Sequence, residues 1–306
     1  NAEGVKAETE ADKATLNDIK GNAIFLRSYY YFDLLRFFAD FNDKQSYGIP
    51  YTDKAVILET LGRNSVEECF KALENDLTNA VSLLQNEHPQ NNGYASKDAA
   101  RALLARIYLY EKNYDKAYAT AEQVLNANPI ASISEYPAVW TDNTTKEVLF
   151  SLNRTSKDEK LGEVFFWADN SSLFEAAPNF IASFDPNDIR LNLFVDDGVD
   201  RDLVPVKRII KGSRLLSQLR KERIIGWNAT TYASKEELLK QIELERRHEL
   251  CFEGHRWFDL RRWELPIVKS ETNKTLEVGD FHRLMPIPKS EMEANPVIAK
   301  QQNKGY

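Results

Sequence analysis

Glu249 and Glu253 lie one helical turn apart, the type and spacing of a carboxylate pair that can act as acid and base in glycoside hydrolysis. His248, Cys251 and His255 recur at i, i+3 and i+7 and could offer zinc two imidazoles and a thiolate. Both sets fall inside one charge-dense stretch, ELERRHELCFEGHRWFDLRRW, from Glu243 to Trp263. Arg246, Arg247, Arg256, Arg261 and Arg262 are interleaved there with Glu245, Glu249, Glu253 and Asp259. Glu249 and Glu253 each have an arginine three positions away, Arg246 and Arg256, which would hold the carboxylate ionised and unsuited to donating a proton. The stretch therefore reads as a structural ion-pair network that locks the last helix against the repeats, with Trp257 and Trp263 as core anchors. Gly254 interrupts the face on which a zinc set would sit, and neither HExxH nor CxxC occurs. His88 precedes a proline, His282 is isolated, and no GxSxG or glycine-rich phosphate loop is present. No catalytic residue, metal or cofactor is expected.

Binding chemistry has better candidates. Sugars present apolar CH faces with a hydroxyl rim, so an aromatic plane beside Asn or Asp suits them. Trp167, with Phe165 and Phe166 before it and Asp169 and Asn170 after it, has that pairing. Trp140 lies beside Asp142 and Asn143, and Trp227 beside Asn228. Trp167, Phe166, Trp140, Trp227 and Asn170 are the ligand-binding candidates. The competing reading is that the same side chains close loops onto a scaffold. The aromatics of residues 21–41 recur at helical spacing and read as core.

Several elements must position these residues. From Leu16 to Phe38 apolar residues recur on two faces, one with Ile19, Ala23, Leu26, Tyr30 and Leu34, the other with Phe25, Tyr29, Phe32 and Phe37. Such a helix is expected to be buried by several neighbours. Ser65 with Glu68 is a capping box opening a helix to about Gln85, with the stripe Val66, Phe70, Leu73, Leu77, Ala80 and Leu84. Asn91-Asn92-Gly93 is a turn, and Ser96 caps a helix to about Glu111. From Ala99 to Pro129 a helix–turn–helix fits a tetratricopeptide repeat: Leu104-Ala105, Tyr108, Tyr114, Ala117 and the closing Pro129 hold its positions, with Ala121 for the usual Phe. One repeat cannot bury its own face, so other pairs stack on it. Residues 147–152 (EVLFSL) read as a short strand. Residues 153–206, rich in Asn, Asp, Ser and Pro, read as a long irregular region. Helix resumes over about 213–225. Ser234 with Glu237 opens the charge-dense helix, which Gly254 ends or bends, and a capped turn starts at Ser290 in the tail. The fold class is mostly α: an α-α superhelix of tetratricopeptide-like helix pairs, an irregular loop-rich region and a few short strands. One domain over 1–306 is expected, with a helical repeat part (1–129), a loop-rich part (130–212) and a C-terminal part (213–306).

The whole chain sets bounds. Its 306 residues are 42% hydrophobic, ample for a buried core, and its net charge of −7 argues against gripping a nucleic-acid backbone. Cys69 and Cys251 are far apart and read as buried thiols. No run of about 18 apolar residues occurs. The opening residues lack a leader pattern and read as the inside of a helical domain, so a further segment is expected before them.

The Glu245–Arg262 run, ERRHELCFEGHRWFDLRR, resembles the C-terminal signature of the SusD/RagB family, E-R-R-x-E-L-x-F-E-G-x-R-W-x-D-L-x-R. Gly21 to Asp40 is similar to the family's G-E-A-x-F-L-R-A-x-Y-Y-F-D-L block, with Asn22 where Glu is usual. Tyr47-Gly48-Ile49-Pro50 with Arg63, then Asp76-Leu77 and Ala80, and the tail from Leu284 to Tyr306, complete the family's order. The family's R-x-A-E helix pair before the signature is not matched, and by that pattern a helix is missing around Gly212-Ser213. The resemblance implies a non-enzymatic nutrient-binding lipoprotein of the outer membrane, facing the exterior. Its ligand would be an oligosaccharide or a peptide, most readily a glycan, passed to a SusC-like TonB-dependent transporter. Its only membrane attachment would be an N-terminal lipid. The alternative is a tetratricopeptide-like scaffold binding a peptide or protein partner.

Overall fold

The computed structural model describes residues 4–55, 59–141, 143–152, 176–196, 201–203, 213–269 and 274–306. In chain order the elements are α1 (Glu10–Phe38), α2 (Val66–Leu83), α3 (Lys97–Tyr110), α4 (Tyr114–Ala127), α5 (Tyr136–Trp140), α6 (Pro178–Ile181), β1 (Phe194–Asp196), β2 (Arg201–Leu203), α7 (Ser213–Lys221), α8 (Lys235–Glu249), α9 (Arg256–Arg262), β3 (Ile267–Lys269), β4 (Lys274–Leu276), α10 (Lys289–Ala294) and α11 (Pro296–Ala299). The fold is mostly helical. The strands form two antiparallel pairs, β1–β2 and β3–β4. The chain divides into two compact units: residues 1–128, 148–151 and 257–306 form one, residues 129–147 and 152–256 the other.

In the first unit α1 packs on α2, α2 on α3 and α3 on α4. Local chemistry sets the starts: Thr9 and Asp12 form a reciprocal capping box for α1, Ser65 and Glu68 one for α2, and Ser96 and Asn113 cap α3 and α4. The expected stripe of α2, from Val66 through Phe70, Leu73, Leu77 and Ala80 to Leu84, is buried throughout. The two faces of α1 fare differently. Phe25, Phe32 and Leu35 are in the core, whereas Ile19, Ala23, Tyr30 and Leu34 are exposed. The expectation that α1 is buried all round is thus corrected, because α2 covers only one side of it.

The C-terminal part of this unit closes α1. A helix leaves its last four carbonyls without partners. Here those of Arg36 and Ala39 accept from the Arg261 guanidinium (2.5 and 2.7 Å), that of Phe37 from the Met285 N–H (3.0 Å), and that of Phe38 from Arg63 and the Asn303 amide (both 2.8 Å). Arg63 spends its other donors on Gly48, Tyr47 and Gln301 carbonyls and the Asn303 side-chain oxygen. Burial with no carboxylate beside it lowers Arg63 to about 10.

Some local expectations fail for physical reasons. Residues 147–152 form no strand: Glu147 has φ +67°, and among the described residues the segment makes one backbone bond, from Ser151 to the Asn92 carbonyl. Leu149 and Phe150 instead pack into the first unit's core. The helix expected over 213–225 ends at Lys221, and α8 stops at Glu249, five residues before Gly254. Phe252 and Gly254 then take positive φ, breaking the run that joins the two charged halves. Ser290 caps nothing; Asn295 does, over α11. In the second unit, the described residues 176–203 hold only α6, a 3₁₀ turn (Ile189–Leu193) and the β1–β2 pair, in keeping with an irregular region. The segment around Gly212 lies outside the described residues.

Candidate functional site

The second unit is organised by a buried charge network built on α8. Glu245 and Glu249 are one turn apart, so both point to one side. Between them lies Arg190, which a turn from Asp188 presents: the Asp188 carboxylate accepts from the Arg190 backbone (2.9 Å) and guanidinium (2.6 Å). Arg190 is 2.6 Å from Glu245 and donates to Glu249 at 2.9 Å. From α7 and the turn after it, Arg220 donates to Glu245 at 2.5 Å and Arg223 to Glu249 at 3.1 Å. Arg223 also reaches Glu147 (3.1 Å) and the Ala131 carbonyl (3.0 Å). Burial opposes the charge on Glu245, yet Arg190 and Arg220 hold it below the usual carboxylate range. Burial raises Asp188 despite its arginine.

This arrangement revises the expected pairing. Glu249 takes its charge partners from Arg190 and Arg223, distant in sequence, rather than from helical neighbours. The network also ties α8 to elements of its own unit. The grip on the helical repeats comes instead from Arg261, whose guanidinium also lies over Phe41, while Arg36 stands over the Phe258 ring. Both carboxylates are buried and held by two arginines each, so they tie elements of this unit together. Trp257 packs against the first unit's core, half-buried.

The zinc set is dispersed by the end of α8. His248 stacks on Phe184 with centroids 3.8 Å apart and shares a 2.8 Å hydrogen bond with the Ser183 hydroxyl. Burial among arginines lowers it to about 3, and burial pushes the Cys251 thiol up to about 12. Among the described residues no group of three or more His, Cys, Asp or Glu could hold a metal, and both cysteines are free. His88 pairs with the buried Asp98 and His282 with Asp280.

The candidate stacking residues are placed as follows. Trp140 ends α5, half-buried, edge-on to Tyr136 at 5.7 Å, and Tyr136 lies 3.8 Å from the Arg223 guanidinium. With Arg190, His248, Cys251 and Phe194 it lines a water-sized cavity too small for a sugar ring. Trp227 is half-buried over Arg220 at 5.1 Å, beside exposed Ile225 and Asn228. The Trp227 indole N–H is buried with no hydrogen-bond partner among the described residues. Trp140 and Trp227 thus rest on arginines of the same network, through Tyr136 and directly. Trp167, Phe166 and Asn170 lie outside the described residues. Sequence reasoning missed Asp188, Arg190, Arg220 and Arg223; the D-x-R and R-x-x-R spacings were the available signals.

Fold and site together define a protein built of stacked helix pairs, with a second unit held by buried ion pairs and edged with half-buried tryptophans. A family profile described as starch-binding associating with outer membrane matches residues 3–109, and one described as SusD family matches residues 221–306. Both ends of the chain thus resemble the SusD family, each over about a third of its length. It is 24% identical over 142 residues to SusD-like protein P25 of Formosa agariphila, a match covering 44% of this chain and 25% of that protein. The aligned stretch thus spans about a quarter of this curated relative. A SusD superfamily protein from Bacteroides vulgatus superposes with TM-score 0.81 at 25% identity, over 97% of this chain and 80% of that one. A laminarin-binding SusD-like protein superposes with TM-score 0.72 at 18% identity, over 100% and 82%.

Proposed function

We infer that this protein captures a glycan at the outer membrane and delivers it to a SusC-like TonB-dependent transporter, without covalent chemistry. The observation that carries the reading is the pair of SusD-family matches at both ends of the chain, one described as starch-binding. The enclosed state of Glu245 and Glu249 supports binding rather than hydrolysis. Stacking falls to Trp227, Trp140 and the segment with Phe166, Trp167 and Asn170, where an aromatic plane meets an amide. A lipid on an N-terminal cysteine attaches the protein, facing outward; no helix of the described residues is long and apolar enough to cross a membrane. Loose oligosaccharides bind such surfaces in the micromolar to millimolar range, about −4 to −8 kcal/mol. A glycan array followed by titration calorimetry is the test. A saccharide hit weakened at least about tenfold by Trp227→Ala or Trp167→Ala, equivalent to ~1.4 kcal/mol, supports the reading. Silence across saccharides with binding of peptides overturns it.

A further inference from the structure

The loop that joins α2 to α3 is tied at its base and pinned at its tip. At the base, the Asn86 and Glu87 carbonyls accept from the Lys97 and Asp98 N–H groups (2.9 and 3.1 Å), and the His88 ring pairs with Asp98 at 2.6 Å. A surface loop whose ends meet in this way is an Ω-loop, a form that frequently carries function. At the tip, Asn91 closes a turn: its side-chain oxygen accepts from the Gly93 N–H and its carbonyl from the Tyr94 N–H, both at 3.0 Å. Two longer-range bonds fix the tip against its own unit. The Asn22 side-chain oxygen on α1 accepts from the Ala95 N–H, and the Asn92 carbonyl accepts from the Ser151 N–H, both at 2.8 Å.

This frame presents an aromatic ring among amides. Tyr94 is 63% exposed, the most exposed tyrosine or phenylalanine among the described residues. Its hydroxyl, the Gln90 and Asn92 side chains and the Asn91 amide nitrogen make no hydrogen bond among the described residues. No side chain from Pro89 to Ser96 is charged. A single exposed ring is ordinary on a protein surface, and Tyr114 is the ordinary case. It is 57% exposed, but Asn113 before it spends its side-chain oxygen on the Lys116 N–H to cap α4, and Lys112, Asp115 and Lys116 flank it. At Tyr94 an open aromatic plane, uncommitted amides and a pinned backbone coincide. A contact surface that is already rigid loses little freedom on binding. Resting on the glycan reading above, we propose that this tip is a stacking site for a neutral saccharide, on the first unit and separate from the tryptophans of the second. The Tyr94 plane takes the apolar CH face of a sugar ring, and the amides of Gln90, Asn91 and Asn92 take its hydroxyls. The absence of charge gives an ionic ligand no partner there.

The test is affinity electrophoresis of the 306-residue chain through gels containing soluble starch, laminarin or galactomannan, three neutral polysaccharides. In a gel that retards the unsubstituted chain, Tyr94→Ala should weaken retention at least about fivefold, the loss of one stacking plane. Tyr94→Phe keeps the plane and should be retained like the unsubstituted chain, as should Tyr114→Ala. The melting temperature of Tyr94→Ala should match that of the unsubstituted chain, because Asn22 and Ser151 rather than the ring hold the tip. Undiminished retention of Tyr94→Ala overturns this site and leaves the glycan reading standing. Equal weakening by Tyr114→Ala overturns the site as well, since any exposed tyrosine would then serve. No retention in any of the three gels overturns the glycan reading and this site with it.

Discussion

His248 stays neutral in the fold because it is buried against Phe184 and surrounded by Arg190, Arg220 and Arg247. Its value of about 3 lies below the ordinary 6.5, so above pH 6.5 neither state is protonated and the group contributes nothing to pH dependence. As pH falls below 6.5 the unfolded chain takes up a proton that the folded chain refuses, and stability drops by about 1.4 kcal/mol per pH unit down to about 3. Between pH 7 and 5 this one group should cost about 2 kcal/mol, visible as a fall in the urea midpoint. His248→Phe should flatten that part of the profile; an unchanged slope would show that another group titrates. Glu249 lies at the junction of Arg190 and Arg223, both almost fully buried. Glu249→Ala removes one carboxylate partner from each of two buried guanidinium groups and should cost about 3 kcal/mol in denaturant unfolding, far above an exposed ion pair.

Among the elements, α1 shows how much was legible and what was not. Its existence, the capping box on Ser65, the cap on Ser96 and the stripe of α2 follow from local chemistry, because a cap and a 3.6-residue period involve residues within one turn. Which side of α1 is buried did not follow, since both faces are apolar and the difference is set by which neighbours are present. The site was less legible still. Glu245 and Glu249 stood out, but their partners Arg190 and Arg223 come from turns with no periodicity, and pairing across about 26 to 59 residues leaves no local mark. The capping of α1 from the C-terminal tail is likewise a long-range fact. It predicts that Arg261→Ala, which orphans the Arg36 and Ala39 carbonyls, costs about 3 kcal/mol. Arg63→Ala should expose the tail after Leu284 to limited proteolysis, because Arg63 joins Gln301 and Asn303 to the Phe38 carbonyl. A tail as resistant as in the unsubstituted chain would assign that role to Asn303 alone.

At the scale of the whole molecule, charge constrains what the surface can hold. Forty basic against 47 acidic residues leave a net −7, and among the described residues most arginines are buried. Exposed charges act through solvent and are screened beyond about 8 Å at physiological salt. On the proposed reading, a neutral glycan stacked on Trp227 would feel little of this field. Its affinity should change less than about twofold as salt rises from roughly 50 to 500 mM, measured by calorimetry. An acidic polysaccharide would behave otherwise: net repulsion would make it a poor ligand at low salt, improving as salt screens the protein's charge. Tightening of severalfold with added salt would therefore identify a like-charged ligand. Weakening would point to a basic one, such as a cationic peptide, and would favour a peptide-binding scaffold over a glycan receptor.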